Sequence, residues 1–364
     1  MEAESERDLV VLDDPDRPTG RRRLPATTFT TLYGAMLRPL HAVGWTRVRL
    51  AAYAAYAAVL IGIVVVVGVP TGRISLAIII MLGLALTSVG HGWRNAGRVF
   101  LDWLPFTLVL VLYDRTRSVV DTFGVTLHEK DILDAERWFF AGTEPTVWLQ
   151  HHLYNPSHVY WYDAICTLVY TSHFLATPIL AAVLWLRDRA VWLRYISRVI
   201  LLSVAGLVTY CVFPEAPPWF AARDGFTEPV SRLSARGWTW FHLGNVHETL
   251  ERAQQDGTNP VAAMPSLHTA FATLVAIVAI TQLRSRWRWL AALYPVAMGF
   301  TLVYSGEHYV LDLVAGALYA GAAYVAMSRW EAWRRRRLVR AADLTAPVKV
   351  GAVVSGGASG ADGT

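Results

Sequence analysis

From Ala51 to Val69 the chain carries no charged residue, and as a helix that run is long enough to cross a hydrocarbon core of roughly 30 Å. Inside a bilayer the backbone must satisfy its own hydrogen bonds, so such a run folds as a spanning helix. It is one of many. Hydrophobic residues are 54% of the 364 and charged residues 17%, against about 25% charge in an ordinary soluble domain. The apolar residues come in long runs rather than short alternations. The fold class read from this pattern is all-α: a polytopic membrane helical bundle with about eight transmembrane helices.

The spans are expected at about Val48–Val69, Ile74–Gly90, Val99–Tyr113, Val159–Leu186, Trp192–Phe213, Ser266–Thr281, Trp289–Tyr304 and Tyr309–Met327. The third is short and interrupted by Pro105. Two long polar stretches separate them, Asp114–Ser157, with an amphipathic part near Ile132–Phe140, and Pro214–Met264. Residues 1–44 read as a disordered tail, 45–338 as the membrane catalytic domain and 339–364 as a second disordered tail. No apolar core follows a basic start in the first thirty residues, so no cleaved signal peptide is expected.

Eight spans put both termini on one side. That side collects Arg21–Arg23, Arg47, Arg49, Arg94, Arg98, Arg187, Arg189, Arg194, Arg284, Arg286, Arg288 and Arg334–Arg337, whereas the short loops opposite hold little more than Arg73. The positive-inside rule makes the arginine side cytoplasmic. Both long polar stretches then lie outside, and a plasma membrane location follows. Beside hydrophobic helices, the arginine blocks set topology rather than bind nucleic acid. Cys166 and Cys211 fall in apolar runs and read as small core residues.

The chemistry concentrates in Pro265-Ser266-Leu267-His268 and Gly306-Glu307-His308-Tyr309-Val310-Leu311-Asp312. His308 and Asp312 are four apart, so on a helix they share a face, and the carboxylate can fix the imidazole tautomer. Pro265 suits a first helical turn. Free N–H groups at that helix start, with the Ser266 hydroxyl, suit a phosphate. Two histidines facing each other at one membrane level offer a phosphoester a nucleophile and a proton donor. Each feature alone also has a blander reading, as interfacial histidines or as half of a metal site. Their joint pattern favours phosphate chemistry without a metal or cofactor.

At these residues the chain resembles the type 2 phosphatidic acid phosphatase superfamily. Ala263-Met264-Pro265-Ser266-Leu267-His268 is similar to the family's Pro-Ser-x-His motif, and His308–Asp312 to the end of its His-x-x-x-Asp motif. The resemblance implies that His268 protonates the leaving group, His308 attacks phosphorus to form a phosphohistidine, and Asp312 orients His308. The family's third motif opens with Ser-Arg, where this chain has Thr301 and Leu302, and its lysine-led first motif is missing. Both departures resemble the branch of the fungal inositol phosphorylceramide synthases. Tyr113-Asp114-Arg115-Thr116-Arg117, Tyr170-Thr171-Ser172-His173 and Phe213-Pro214-Glu215-Ala216-Pro217-Pro218-Trp219 fit that branch too.

A phosphate dianion in a partly dry site needs a compensating cation. Arg117 is the first candidate, Arg115 the second and Lys130, beside His128, the weaker third. His173, inside span four, reads as structural or substrate-lining. His151, His152 and His158 are not spaced to place three ligands on one helix face, and read as solvated loop residues. The expectation is therefore a lipid-phosphate phosphotransferase at the outer leaflet. Its substrates are a membrane lipid phosphate and an alcohol or water acceptor, with inositol phosphate as one group moved. The alternatives are a lipid or polyprenyl phosphate phosphatase and, from another class, a non-catalytic transporter.

Overall fold

A computed structural model of the protein describes residues 44–66, 73–91, 93–257 and 262–345; both expected tails lie outside these except for residue 44 and residues 339–345. Among the described residues the chain forms twelve α-helices and no strand. They are α1 (Trp45–Val66), α2 (Arg73–Ala85), α3 (Trp93–Phe123), α4 (Asp131–Phe139), α5 (Pro145–Leu153), α6 (Trp161–Arg187), α7 (Arg189–Val212), α8 (Pro218–Arg223), α9 (Gly244–Gly257), α10 (Leu267–Gln282), α11 (Leu293–Tyr304) and α12 (Val310–Thr345). By contact the chain divides into residues 1–55, of which the start of α1 is described, and residues 56–364.

The segments Trp45–Ile63, Trp161–Arg187, Arg189–Val212 and Val310–Ala341 are long and apolar enough to cross a membrane, at the places expected for spans one, four, five and eight. α10 is apolar but has 16 residues, and α11 has 12, preceded by a 3₁₀ turn over Arg286–Ala292. α3 corrects the expectation of a short span broken at Pro105: it runs unbroken for 31 residues with the proline inside it. A single proline removes one helical hydrogen bond, and neighbouring helices make that loss tolerable in a membrane. The helix stops before Gly124, at φ +59°, a conformation glycine adopts freely. α12 continues past the expected domain edge at residue 338.

The interior of residues 56–364 is apolar, built on Trp103 of α3, Trp192, Tyr195 and Leu202 of α7, Leu274 of α10 and Ala320 of α12. The exterior is apolar as well: Leu104 and Leu108 of α3, Ile165 and Ile179 of α6, Val208 of α7 and Leu318 of α12 are all exposed. Helices that are hydrophobic all round belong in lipid, so the chain is a multi-pass membrane protein. With no hydrophobic force between helices in lipid, close packing relies on small residues. Gly316 on α12 shows this. A Cβ there would stand 2.3 Å from the Ser266 carbonyl oxygen at the start of α10.

The two ends of the bundle differ. One end carries the α6–α7 and α10–α11 junctions with their arginines. There Arg189 pairs with Asp102 of α3, and Arg198 of α7, almost fully buried, pairs with Glu331 of α12 at 2.8 Å. At the other end α6, α10 and α12 begin and α7 finishes. α4 lies there too, burying Leu133 and Glu136 while Trp138 and Phe139 stay exposed. Cys166 is buried, and neither cysteine is in a disulfide.

Candidate active site

The two motif stretches are tied together through their backbones. Ser266 caps α10, its hydroxyl oxygen accepting from the Thr269 amide at 3.4 Å. The Ser266 amide donates to the Asp312 carbonyl at 3.0 Å, and the Tyr210 hydroxyl donates to the Pro265 carbonyl at 2.8 Å. Forty residues on, α11 ends in a left-handed cap at Gly306, φ +73°. The Gly306 amide returns to the Val303 carbonyl at 3.1 Å and the Glu307 amide to that of Leu302 at 3.0 Å. That pair of bonds closes a helix and fixes the direction of the chain leaving it. It launches Glu307 and His308 into the bundle end.

His308 and Asp312 are both buried. His308 Nδ1 lies 3.3 Å from Asp312 Oδ2, and the same oxygen accepts from the Tyr309 amide at 2.9 Å. A carboxylate at Nδ1 calls for the proton on that nitrogen, leaving Nε2 with its lone pair. Nε2 points at His268, whose Nδ1 is 3.4 Å away. The His268 ring is held by Tyr170, stacked with centroids 5.3 Å apart, and by His173 at 4.1 Å. His268, His308, Asp312, Ser266 and His173 thus converge, although Ser266 is fully buried and its hydroxyl serves the helix cap.

Two of the accessory stretches, Tyr170–His173 and Phe213–Trp219, meet at the same place. Tyr170 and His173 come from α6. The Trp219 amide, in α8, donates to the Gly306 carbonyl at 3.2 Å. Lys130 is exposed just before α4, and its neighbour His128 stacks on Phe213 and pairs with Asp131. The side chains of Arg115 and Arg117 lie outside the described part of α3. His151, His152 and His158 have separate surroundings, at Glu228, Trp148 and Tyr160 respectively.

Four charged residues at the site went unassigned in the sequence. Arg232 forms a two-pronged pair with Glu307, Nε to Oε1 at 2.8 Å and Nη2 to Oε2 at 3.0 Å, and Ser234 also donates to Glu307 Oε1. Burial opposes the Arg232 charge, but Glu307 and Tyr170 outweigh it and raise the pKa. Glu136 reaches over from α4, accepting from the Val310 amide at 2.6 Å and so satisfying a first-turn donor of α12. Burial pushes its carboxyl up to about 7, with Asp312 and Glu144 adding to the rise. Glu215, equally buried, is raised well above the carboxylate range by burial and then by Asp312 and Glu136. A lone charge in a polar loop carries no sequence signal for such partners. Glu215 and Glu307 stand in the sequence only as members of their motif stretches.

This arrangement contains a histidine with an oriented lone pair, a second imidazole in contact with it and a carboxylate behind the first. It can attack an electrophilic centre and protonate what leaves. A family model described as the PAP2 superfamily matches residues 130–326. The chain is also similar to a phosphoinositol dihydroceramide synthase of Bacteroides thetaiotaomicron, 26% identical over 223 residues, covering 58% of this chain and 71% of that protein. No solved structure matches.

Proposed function

The chain belongs to the PAP2 superfamily and is a membrane enzyme of phosphatase or phosphotransferase type, and from that premise we propose that it moves a phosphoryl-linked group from a lipid to an alcohol through a phosphohistidine. The observation that carries this reading is the contact of His308 Nε2 with His268, with Asp312 behind His308 Nδ1. The rings touch, so His268 turns aside as a phosphoryl group enters. His308 Nε2 then attacks phosphorus, a P–N bond forms as the P–O bond to the leaving group breaks, and His268 gives its proton to the departing oxygen. In the second half-reaction an acceptor hydroxyl loses its proton to His268, attacks phosphorus and releases His308. Asp312 stabilises the imidazolium in both steps.

Transfer is favoured over hydrolysis by the similarity to a synthase of phosphoinositol dihydroceramide. Inositol phosphate is accordingly the group proposed to move, with phosphatidylinositol as donor and a lipid or glycan hydroxyl as acceptor. Hydrolysis of a lipid phosphate is the second reading, because water can take the acceptor's place without any change at the site. The proposed location is a plasma membrane with the site on the extracytoplasmic side and both termini in the cytoplasm. It rests on the arginine clusters standing at the end of the bundle away from His308.

The test uses the full chain in nanodiscs with a lipid labelled at phosphorus. Acid-labile label is expected on the wild-type protein and none on His308→Ala, with label then passing into a second lipid or glycan. Label emerging in water as inositol phosphate from phosphatidylinositol, or as inorganic phosphate from a lipid phosphate monoester, identifies the hydrolase. Full turnover by His308→Ala overturns the mechanism.

A further inference from the structure

We propose that Arg232 is the cation that binds the transferred phosphoryl group, an assignment that rests on His308 being the nucleophile. The place where the family resemblance would put an arginine is closed to one here. Leu302 occupies it, fully buried and packed with Ala272 and Met298. The charge has to come from elsewhere, and Arg232 touches both halves of the catalytic pair through single residues. Its guanidinium is forked onto Glu307, the residue before His308. It also engages Tyr170, whose ring stacks on His268. Trp219 lies under the guanidinium, 4.9 Å from ring centre to Cζ, and fixes its plane.

The electrostatics suit this role. Glu307 Oε1 accepts from both Arg232 and the Ser234 hydroxyl, which holds the carboxylate, and with it the guanidinium, in one position. A guanidinium carries five N–H donors in a planar fork and stays charged at any working pH. Facing phosphoryl oxygens in a largely dry site, a pre-positioned charge of this kind stabilises the transition state without reorganisation. Arg236, the other arginine of the same loop, donates instead to the carbonyls of Asn155 and His158.

The competing account is that Arg232 only neutralises Glu307. Replacing both members of a buried ion pair is often harmless to stability, whereas removing one is costly, so the double variant Arg232→Gln/Glu307→Gln separates the two accounts. It is expected to insert and melt like the wild type, to lose about 100-fold in turnover, and to need at least about tenfold more orthovanadate for half-inhibition. A double variant with wild-type turnover and wild-type vanadate inhibition overturns the assignment. A second arm needs no variant. Phenylglyoxal modification of Arg232 in the wild-type protein, read by peptide mass spectrometry, is expected to slow when orthovanadate is present, and an unchanged rate overturns the assignment. Absence of acid-labile phosphate on the wild-type protein is a failure of the nucleophile reading instead, and the vanadate arm still decides Arg232.

Discussion

Gly316→Ala tests whether the spacing of α10 and α12 sets the geometry of the proposed catalytic pair, His268 and His308. The added Cβ would lie 2.3 Å from the Ser266 carbonyl oxygen, 3.2 Å from its carbon and 3.3 Å from the Ala270 nitrogen. All three are backbone atoms, so no side chain can swing away. A Cβ essentially never comes within 3.0 Å of another atom, and the start of α10 must therefore retreat by about 0.7 Å or more. That movement acts on the Ser266–Asp312 backbone bond at 3.0 Å and on the His268–His308 contact at 3.4 Å. Overpacking of this kind costs about 1–3 kcal/mol of stability, and a displacement near 1 Å in a catalytic pair costs about 10²-fold in rate. The control is Gly321→Ala on the same helix, where a Cβ meets nothing within 4 Å and the better helix former should be neutral or stabilising. Turnover of the lipid substrate is measured in nanodiscs for both variants, alongside their melting temperatures. A Gly316→Ala enzyme within threefold of wild type, estimated against the ~10²-fold expectation, would refute the reasoning.

Two further outcomes concern stability. Glu136 has its folded pKa raised from 4.5 to about 7, so the native state binds its proton more tightly than the unfolded chain. Its contribution to stability therefore declines as pH rises from 4.5 through 7 and stays low above. Glu136→Gln keeps an oxygen for the Val310 amide and removes the ionisation. It should gain on the wild type at pH 8.5, by at most on the order of 3 kcal/mol, and gain no more than about 1 kcal/mol at pH 5. Equal melting temperatures at pH 8.5 contradict this. At the arginine end, Glu331→Ala leaves the buried Arg198 without its carboxylate, a loss expected to cost about 3–5 kcal/mol, while Arg198→Met/Glu331→Leu should cost far less. Denaturant titration of the two variants in detergent compares them directly, and equal losses sink the argument.

Apolar runs and one short spacing in the sequence already determine the class of this protein and the centre of its candidate site. Hydrophobic length is a local property, so most of the expected spans fall within a few residues of the observed helices. The i,i+4 relation of His308 and Asp312 is local too. Even there, the tertiary structure set the use of neighbouring groups: Ser266 spends its hydroxyl on a helix cap, and α3 continues through Pro105. What no local pattern contains is the set of charges around the histidines. Arg232 finds Glu307 across 75 residues, and Glu136 reaches the Val310 amide across 174. Those partnerships exist only once the loops close over the bundle end, because the strength of an ion pair depends on burial and distance in space, neither of which a run of residue types records. Residue order and apolar length alone are enough to expect two histidines and an aspartate together at one end of a membrane bundle. Only folding brings Arg232 onto Glu307, the residue before His308.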